Sequence, residues 1–300
     1  MTKHILVATD LSPASDAALS QAAELARSTG AKVTVCHVAP NIVATNMLFP
    51  QFSGQAALGG LEIEERAREA VLDKIKSIPG WEGKVTVVVA MGEAASEIAR
   101  AAESAGADLV IVGSHGRTGL ARTLVGSVAE RVVRSVHCPV LVARESPASG
   151  PVLAATDLSP PAQEAVIAAA AMAKARGAEL ACIHALDMPI DTVGYGYLAP
   201  FGVFSMPPDP AGRESLRDAA QATLKAALEL AHVKATAMVH EGRPAPEIVR
   251  AATDLGASLV VVATNGRTGL ARIALGSVAE SVVRHAPCSV LAVRTSGTAA

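Results

Sequence analysis

GSHGRTGLARTLVGS, residues 113–127, returns 150 positions later as ATNGRTGLARIALGS, residues 263–277. Nine of the fifteen positions are identical, glycines among them, although the opening Gly113 has become Ala263. Each copy follows a short apolar run, DLVIV (108–112) or SLVVV (258–262), and precedes an amphipathic run, SVAERVV (127–133) or SVAESVV (277–283). A buried strand, a glycine-rich loop and a helix is therefore the predicted unit, occurring twice.

The repeat extends well beyond the loop. ILVATDLSP (5–13) matches VLAATDLSP (152–160) at an offset of 147, and from Gly92 onward the offset is 150. The second copy thus gains three residues after Asp187, within a Pro- and Gly-rich stretch whose counterpart follows Pro40. Both stretches are expected to be long loops at one end of each copy. ESPASGP (145–151) has linker composition, which divides the chain into domains 1–146 and 147–300.

Within copy one, HILVAT (4–9), KVTVCHV (32–38), KVTVVVA (84–90), DLVIVG (108–113) and PVLVAR (139–144) are predicted strands. Between them lie predicted helices, the first opened by Ser12 as cap with Pro13 at the first helical position, and closed by Gly30. Copy two repeats the order. Strands alternating with helices give right-handed βαβ units, hence an α/β fold with a doubly wound parallel sheet in each copy. In such sheets ligands bind beyond the carboxyl ends of the strands, where the strand order reverses. Asp10 and Gly113 both fall at strand carboxyl ends and should face one crevice.

Composition excludes several classes. Aromatic residues make up 2% of the chain and the formal net charge is −2, with no basic stripe, so a nucleic-acid surface is not expected. The longest apolar run, AVIAAAAMA (165–173), is half a membrane span and ends at Lys174. No signal peptide is legible at the start, and the expectation is a cytoplasmic protein away from the membrane. The four cysteines form no CxxC pair, and no His/Cys/Asp/Glu set has metal-ligand spacing. Cys138 and Cys288 read as small buried hydrophobes.

The loop itself favours an anion. Neither GxGxxG after the first strand nor GxxxxGK[ST] is present, so the dinucleotide fingerprint and the P-loop are both absent. The spacing is instead Gly113-x2-Gly116-x9-Gly126-Ser127. Glycines let backbone N–H groups approach a ligand, and a helix N-terminus adds unpaired donors and partial positive charge. Arg117 or Arg122 would supply formal charge. Ser127-x-x-Glu130 and Ser277-x-x-Glu280 also match capping boxes, so the serines could serve only to start their helices. Asp10 could accept ribose hydroxyls, or simply make an Asx turn. His37 and His184 read as structural.

Together VATDLS (7–12), GSHGRTGL (113–120), GSVAERVV (126–133) and CPVLVAR (138–144) resemble the tandem universal stress proteins of the ATP-binding subgroup. The resemblance implies two Rossmann-like five-stranded parallel sheets of order 3-2-1-4-5, related by a pseudo-twofold, ATP (with or without Mg2+) in the crevice, and stress-linked regulation. It places Ala8, Thr9 and Asp10 on the adenosine side and the backbone around Val38 against adenine. Gly113, His115, Gly116, Arg117, Gly126, Ser127 and Val128 surround ribose and phosphates. In copy two the set is Ala155, Thr156, Asp157, Ala185, Gly266, Arg267, Gly276, Ser277 and Val278.

The family also pairs through its last strand, so the two halves are expected to pack on each other, with homodimerisation through other surfaces as a further expectation. Two readings stand beside the nucleotide-dependent regulator: a slow ATPase or adenylate-transferring enzyme, and an interaction scaffold that needs no nucleotide. Ala263 breaks the glycine pattern, through backbone strain if Gly113 has positive φ, or through an extra methyl at the ligand. Tyr195, Tyr197, Phe201 and Phe204 of the insertion are expected over the same crevice. Unequal sites are the expectation, with copy one the tighter.

Overall fold

The computed structural model describes residues 2–39, 53–81, 85–116, 125–145, 149–187, 210–266 and 275–294. In the first half the order is β1 (His4–Thr9), α1 (Asp16–Thr29), β2 (Lys32–Ala39), α2 (Ser53–Ser77), β3 (Val85–Met91), α3 (Ala94–Ala105), β4 (Leu109–Gly113), α4 (Ser127–Ser135) and β5 (Val140–Ala143). The second half repeats it: β6 (Val152–Ala155), α5 (Pro160–Arg176), β7 (Leu180–Leu186), α6 (Pro210–Leu230), β8 (Thr236–Glu241), α7 (Pro244–Asp254), β9 (Leu259–Ala263), α8 (Ser277–His285) and β10 (Ser289–Val293).

The strands form one sheet of ten, ordered β3-β2-β1-β4-β5-β10-β9-β6-β7-β8. Each half has the expected 3-2-1-4-5 order, and all pairings within a half are parallel. The two last strands meet antiparallel at the centre, with Leu291 opposite Leu141, Val290 opposite Val142 and Ala292 opposite Val140. What would be an exposed apolar edge in an isolated half is thus covered by the other half, which removes an edge-pairing hazard. Strands buried on both faces explain the near-continuous Val/Leu/Ile runs.

Two apolar layers flank the sheet, and both run across the seam. On one face Leu6, Ala8, Val110 and Val112 pack with Ile98, Val132 and Val133 of α3 and α4, continuing into Val260, Ile248 and Val282 of the second half. On the other, Ile5, Val7 and Ile111 pack with Leu19, Leu25 and Val71 of α1 and α2, continuing into Val261, Ala165 and Leu224. With so few aromatics the cores are built of Ala, Val, Leu and Ile, and small alanines allow close helix-on-sheet packing.

Three boundaries differ from the sequence reading. Ser12 makes no side-chain cap bond, and Pro13–Ser15 is a 3-10 turn before α1 begins at Asp16. The Ser12 hydroxyl donates to Asp10 instead. In the second half Ser159 does cap α5, accepting from the N–H of Ala162. Of the stretches expected to be long loops, the parts from Ser53 and from Pro210 onward are helical, in α2 and α6, and residues 40–52 and 188–209 lie outside the described residues. The Gln-Ala-Ala-Leu run after Gly54 has good helix propensity, and Pro210 occupies a first-turn position where its missing N–H costs nothing. Gly30, Gly106 and Gly177 close their helices in the left-handed conformation.

Candidate functional site

At the end of β1 the chain must leave the sheet and turn into α1. Asp10 organises that turn: its Oδ1 accepts from the N–H of Ser12 at 3.0 Å and from the Ser12 hydroxyl at 2.6 Å. Leu11 is held at φ 66°, a left-handed conformation disfavoured for leucine. Thr9 is buried, its hydroxyl bonding Ser15 and accepting from the N–H of Leu11, so it supports the turn from inside. The second half repeats this with Asp157, Ser159, Leu158 and Thr156. Asp10 therefore does make the Asx turn, and it also lines the cleft.

Opposite stands the end of β4. The glycine loop leaves at Gly116 and returns at Val125, and its two ends are pinned where the N–H of Gly126 donates to the carbonyl of Ser114 at 2.7 Å. Gly276 donates to Thr264 at the same distance, and a β-carbon on Gly276 would lie 3.0 Å from that carbonyl oxygen. Gly116 is pressed against Asp10: an added β-carbon would stand 3.0 Å from Oδ2, and at Gly266 it would stand 2.8 Å from Oδ2 of Asp157. These glycines let the loop and the aspartate approach each other.

The structure corrects the capping-box reading. Gly126 and Gly276, not the serines, are the N-caps, with extended backbone and no side-chain cap bond. Ser127 and Ser277 are the first helical residues, so neither hydroxyl serves its own helix as a cap. The first-turn N–H groups of α4 and α8 therefore face the cleft with no side-chain cap bond among the described residues, the condition under which a helix N-terminus binds anions.

Every described residue of the predicted sets reaches its cleft. In the first half Ala8, Thr9, Asp10, Val38, Gly113, His115, Gly116, Gly126, Ser127 and Val128 line a cavity of about 320 Å3. In the second Ala155, Thr156, Asp157, Ala185, Gly266, Gly276, Ser277 and Val278 line one of about 610 Å3. Both volumes fall in the range of small-molecule sites, roughly 300–1,000 Å3. Arg117, Arg122 and Arg267 lie outside the described residues, as do Tyr195, Tyr197, Phe201 and Phe204. Sequence reasoning missed the apolar walls: Cys36, Ile98 and Val112 in the first cleft, Ile183, Ile248 and Val262 in the second. Their signal was the even register of the strands, which puts Ala8 and Val112 on the same face of the sheet.

Ala263 proves less disruptive than its sequence position suggests. Gly113 is not among the residues with positive φ, so backbone strain does not arise. Alternation along β9 sends Val262 into the cleft-side core, whereas Ala263, although it borders the second cavity, packs with the core beneath α5 and α6. Ala162 replaces the counterpart serine, Ser15, beside it.

The remaining candidates resolve simply. His37 and His184 hold the carbonyls of Thr9 and Thr156 through Nδ1 at 2.8 and 2.9 Å, as structural residues should. His115 bonds the Ser114 hydroxyl through Nδ1 at 2.9 Å, while its Nε2 is buried with no partner among the described residues. All four cysteines are buried and none is disulfide-bonded. Burial pushes the Cys36 and Cys182 thiols up to about 12, and Cys138 and Cys288 to about 11, so they act as hydrophobes. Among the described residues no group of three His, Cys, Asp or Glu side chains could hold a metal ion, and no helix is long and apolar enough to cross a membrane.

Fold and site together define a duplicated, doubly wound α/β protein with an anion-ready cleft at the switch point of each half. The chain belongs to the universal stress protein family, whose sequence profile matches residues 1–144 and again 149–294. A universal stress protein of Mycobacterium tuberculosis is 30% identical over 310 residues, covering 97% of each chain. One from Methanocaldococcus jannaschii is 35% identical over 148 residues, covering 48% of this chain and 82% of that protein. A universal stress protein structure from Archaeoglobus fulgidus superposes with a TM-score of 0.66 at 21% identity, covering 98% of this chain and 97% of that one; it shares the fold.

Proposed function

We propose that each half is an adenine-nucleotide site, that ATP is the ligand, and that the protein acts in the stress response as a nucleotide-dependent regulator. The observation that carries this reading is the uncapped N-terminus of α4 facing the Asp10 carboxylate across one cleft. Phosphates lie against the N–H groups of Ser127 and Val128, where Gly126 contributes no side chain to obstruct them. Asp10, fixed by Ser12, accepts the ribose hydroxyls. Adenine lies against the apolar wall of Val38, Cys36 and Ile98. Where ATP is accompanied by Mg2+, the ion would be carried by the phosphates; among the described residues no group of three His, Cys, Asp or Glu side chains could hold it.

The test is calorimetric titration of the protein with ATP. Two binding events are expected, with Asp10→Ala weakening one and Asp157→Ala the other. The loss of a carboxylate paired to a hydroxyl costs about 1–3 kcal/mol, roughly tenfold to a hundredfold in affinity. Absence of binding by ATP, ADP and AMP would remove the nucleotide reading and leave the scaffold.

A further inference from the structure

Contacts across the central seam fall into two kinds. The first kind obeys the pseudo-twofold. Arg134 pairs with Glu280 at 2.8 Å and Arg284 with Glu130 at 3.1 Å, and each arginine also holds the glutamate of its own helix. Arg144 donates to the carbonyls of Val283 and Cys288, at the end of α8. Its counterpart Arg294 donates to the carbonyls of Arg134 and Val136, at the end of α4. Two first halves, or two second halves, could form the same Arg–Glu pairs and set an arginine at the carboxyl end of the partner's last helix, although the carbonyls that Arg144 and Arg294 reach there are not all equivalent.

The second kind breaks the pseudo-symmetry. Gln21 on α1 donates across the seam to the Ser289 hydroxyl at 2.8 Å and, within its own half, to the carbonyl of Arg144 at 3.2 Å. Arg176, at the end of α5, donates to Gln21 Oε1 at 2.9 Å. Ser289 is wholly buried and also accepts from the N–H of Arg144 at 3.0 Å. The matching positions hold Ala168 for Gln21, Thr29 for Arg176 and Pro139 for Ser289. In a pair of first halves, Gln21 would keep its bond to the Arg144 carbonyl of its own half, but it would face Pro139 where Ser289 stands and Thr29 where Arg176 stands. The Thr29 hydroxyl is engaged by the Leu25 carbonyl, and the guanidinium is lost. In a pair of second halves, the Arg176 guanidinium would face Ala168, which offers no acceptor. Its Nε is already buried without a partner, so loss of Gln21 leaves a poorly hydrated cation.

We propose that the Arg176–Gln21–Ser289 chain makes this surface selective for unlike halves, so that its partner is the complementary half of this chain and like halves are refused. The symmetric contacts supply affinity for any half, and the asymmetric chain supplies the discrimination. Refusal of like halves also stops intact chains linking head to head into open polymers.

The test uses the full chain with a specific protease site placed within residues 146–148, cut after folding. The cut protein, both halves present, is equilibrated in sub-denaturing urea and counted by native mass spectrometry. Without selectivity, like pairs would make up roughly half of the population. Selectivity predicts that they stay below about one-tenth. Removing both partners, in Gln21→Ala with Arg176→Ala, should raise the like-to-unlike ratio about tenfold or more. In the converse variant, Ala168→Gln restores an acceptor for Arg176 in second-half pairs, which should then appear. Ala168 makes none of the seam bonds named above, so the variant removes none of them and, where its urea midpoint matches the parent's, remains informative if the double variant fails to fold. A statistical mixture from the unmodified protein would overturn the proposal. So would unchanged selectivity in the double variant, or no second-half pairs with Ala168→Gln.

Discussion

The two clefts share a frame and differ in their walls. Asp10 and Asp157 make the same Asx turn, Gly116 and Gly266 press against the carboxylates, and Gly126 and Gly276 leave both helix N-termini uncapped. Around that frame Cys36 becomes Ile183, Ala94 becomes Pro244 and His115 becomes Asn265, and the second cavity is about 610 Å3 against about 320 Å3. What both halves keep is whatever fixes backbone position. What differs is side-chain bulk and polarity, which on the proposed nucleotide reading would select among ligands of one class without altering the phosphate end of the cleft. The seam shows the same division, with symmetric pairing strands and an asymmetric polar chain.

The largest effect expected from unequal halves lies at the seam. Arg144 is almost fully buried, and its guanidinium serves the carbonyls of Val283, Arg284 and Cys288. Arg294, the matching residue, is less buried and donates to the carbonyls of Arg134 and Val136. Charge-assisted bonds contribute about 1.5–3 kcal/mol each where acceptors would otherwise be stranded. Arg144→Ala should therefore destabilise the chain by about 3 kcal/mol, and Arg294→Ala, at the less buried position, by less, as read by urea unfolding. Equal losses would mean that the pseudo-twofold governs energetics as well as topology.

Much of this was legible in the sequence because it rests on period and composition. The repeat offset, the βα alternation and Gly30 and Gly106 as helix stops follow from local rules, and the structure bears them out. The universal stress protein resemblance is also borne out over both halves. The helix starts were harder. Ser127-x-x-Glu130 satisfies the capping-box pattern in full, yet Gly126 takes the cap because its N–H is drawn onto the Ser114 carbonyl by loop closure. That bond joins residues twelve apart, beyond the reach of a four-residue signature. The Gln21–Ser289 bond joins residues 268 apart and carries no local signal at all.

A smaller effect separates the clefts at the glycines touching the aspartates. An added β-carbon stands 3.0 Å from Asp10 Oδ2 at Gly116, but 2.8 Å from Asp157 Oδ2 at Gly266. The obstructed Oδ2 belongs to a carboxylate whose other oxygen is held by Ser12 or Ser159, so relieving the contact displaces the group that faces the ligand, and the cost falls on ligand geometry more than on folding. Gly266→Ala should weaken nucleotide binding in the second cleft several-fold, about 1 kcal/mol, and Gly116→Ala should weaken the first somewhat less. Calorimetry on the paired variants reads the difference. A larger loss from Gly116→Ala would show that the narrower cavity, not the closer contact, sets the sensitivity.

The smallest effect belongs to the substitution that looked most damaging in the sequence. Ala263 stands where the first half has Gly113, and strain or a blocked ligand would have made the second site the weaker one. Gly113 has no positive φ to lose. A β-carbon there would meet the carbonyl oxygens of Ala14 and His115 at 3.2 Å, tight for the first half. The second half carries Pro161 and Ala162 at the positions of Ala14 and Ser15, and the Ala263 side chain packs with the core beneath α5 and α6. Ala263→Gly should therefore leave nucleotide affinity in the second cleft unchanged within twofold, about 0.4 kcal/mol. It should lower stability by about 0.5–1 kcal/mol through added backbone freedom. A gain of tenfold or more in second-site affinity would place the methyl at the ligand after all, and the clefts would then differ in their frame as well as their walls.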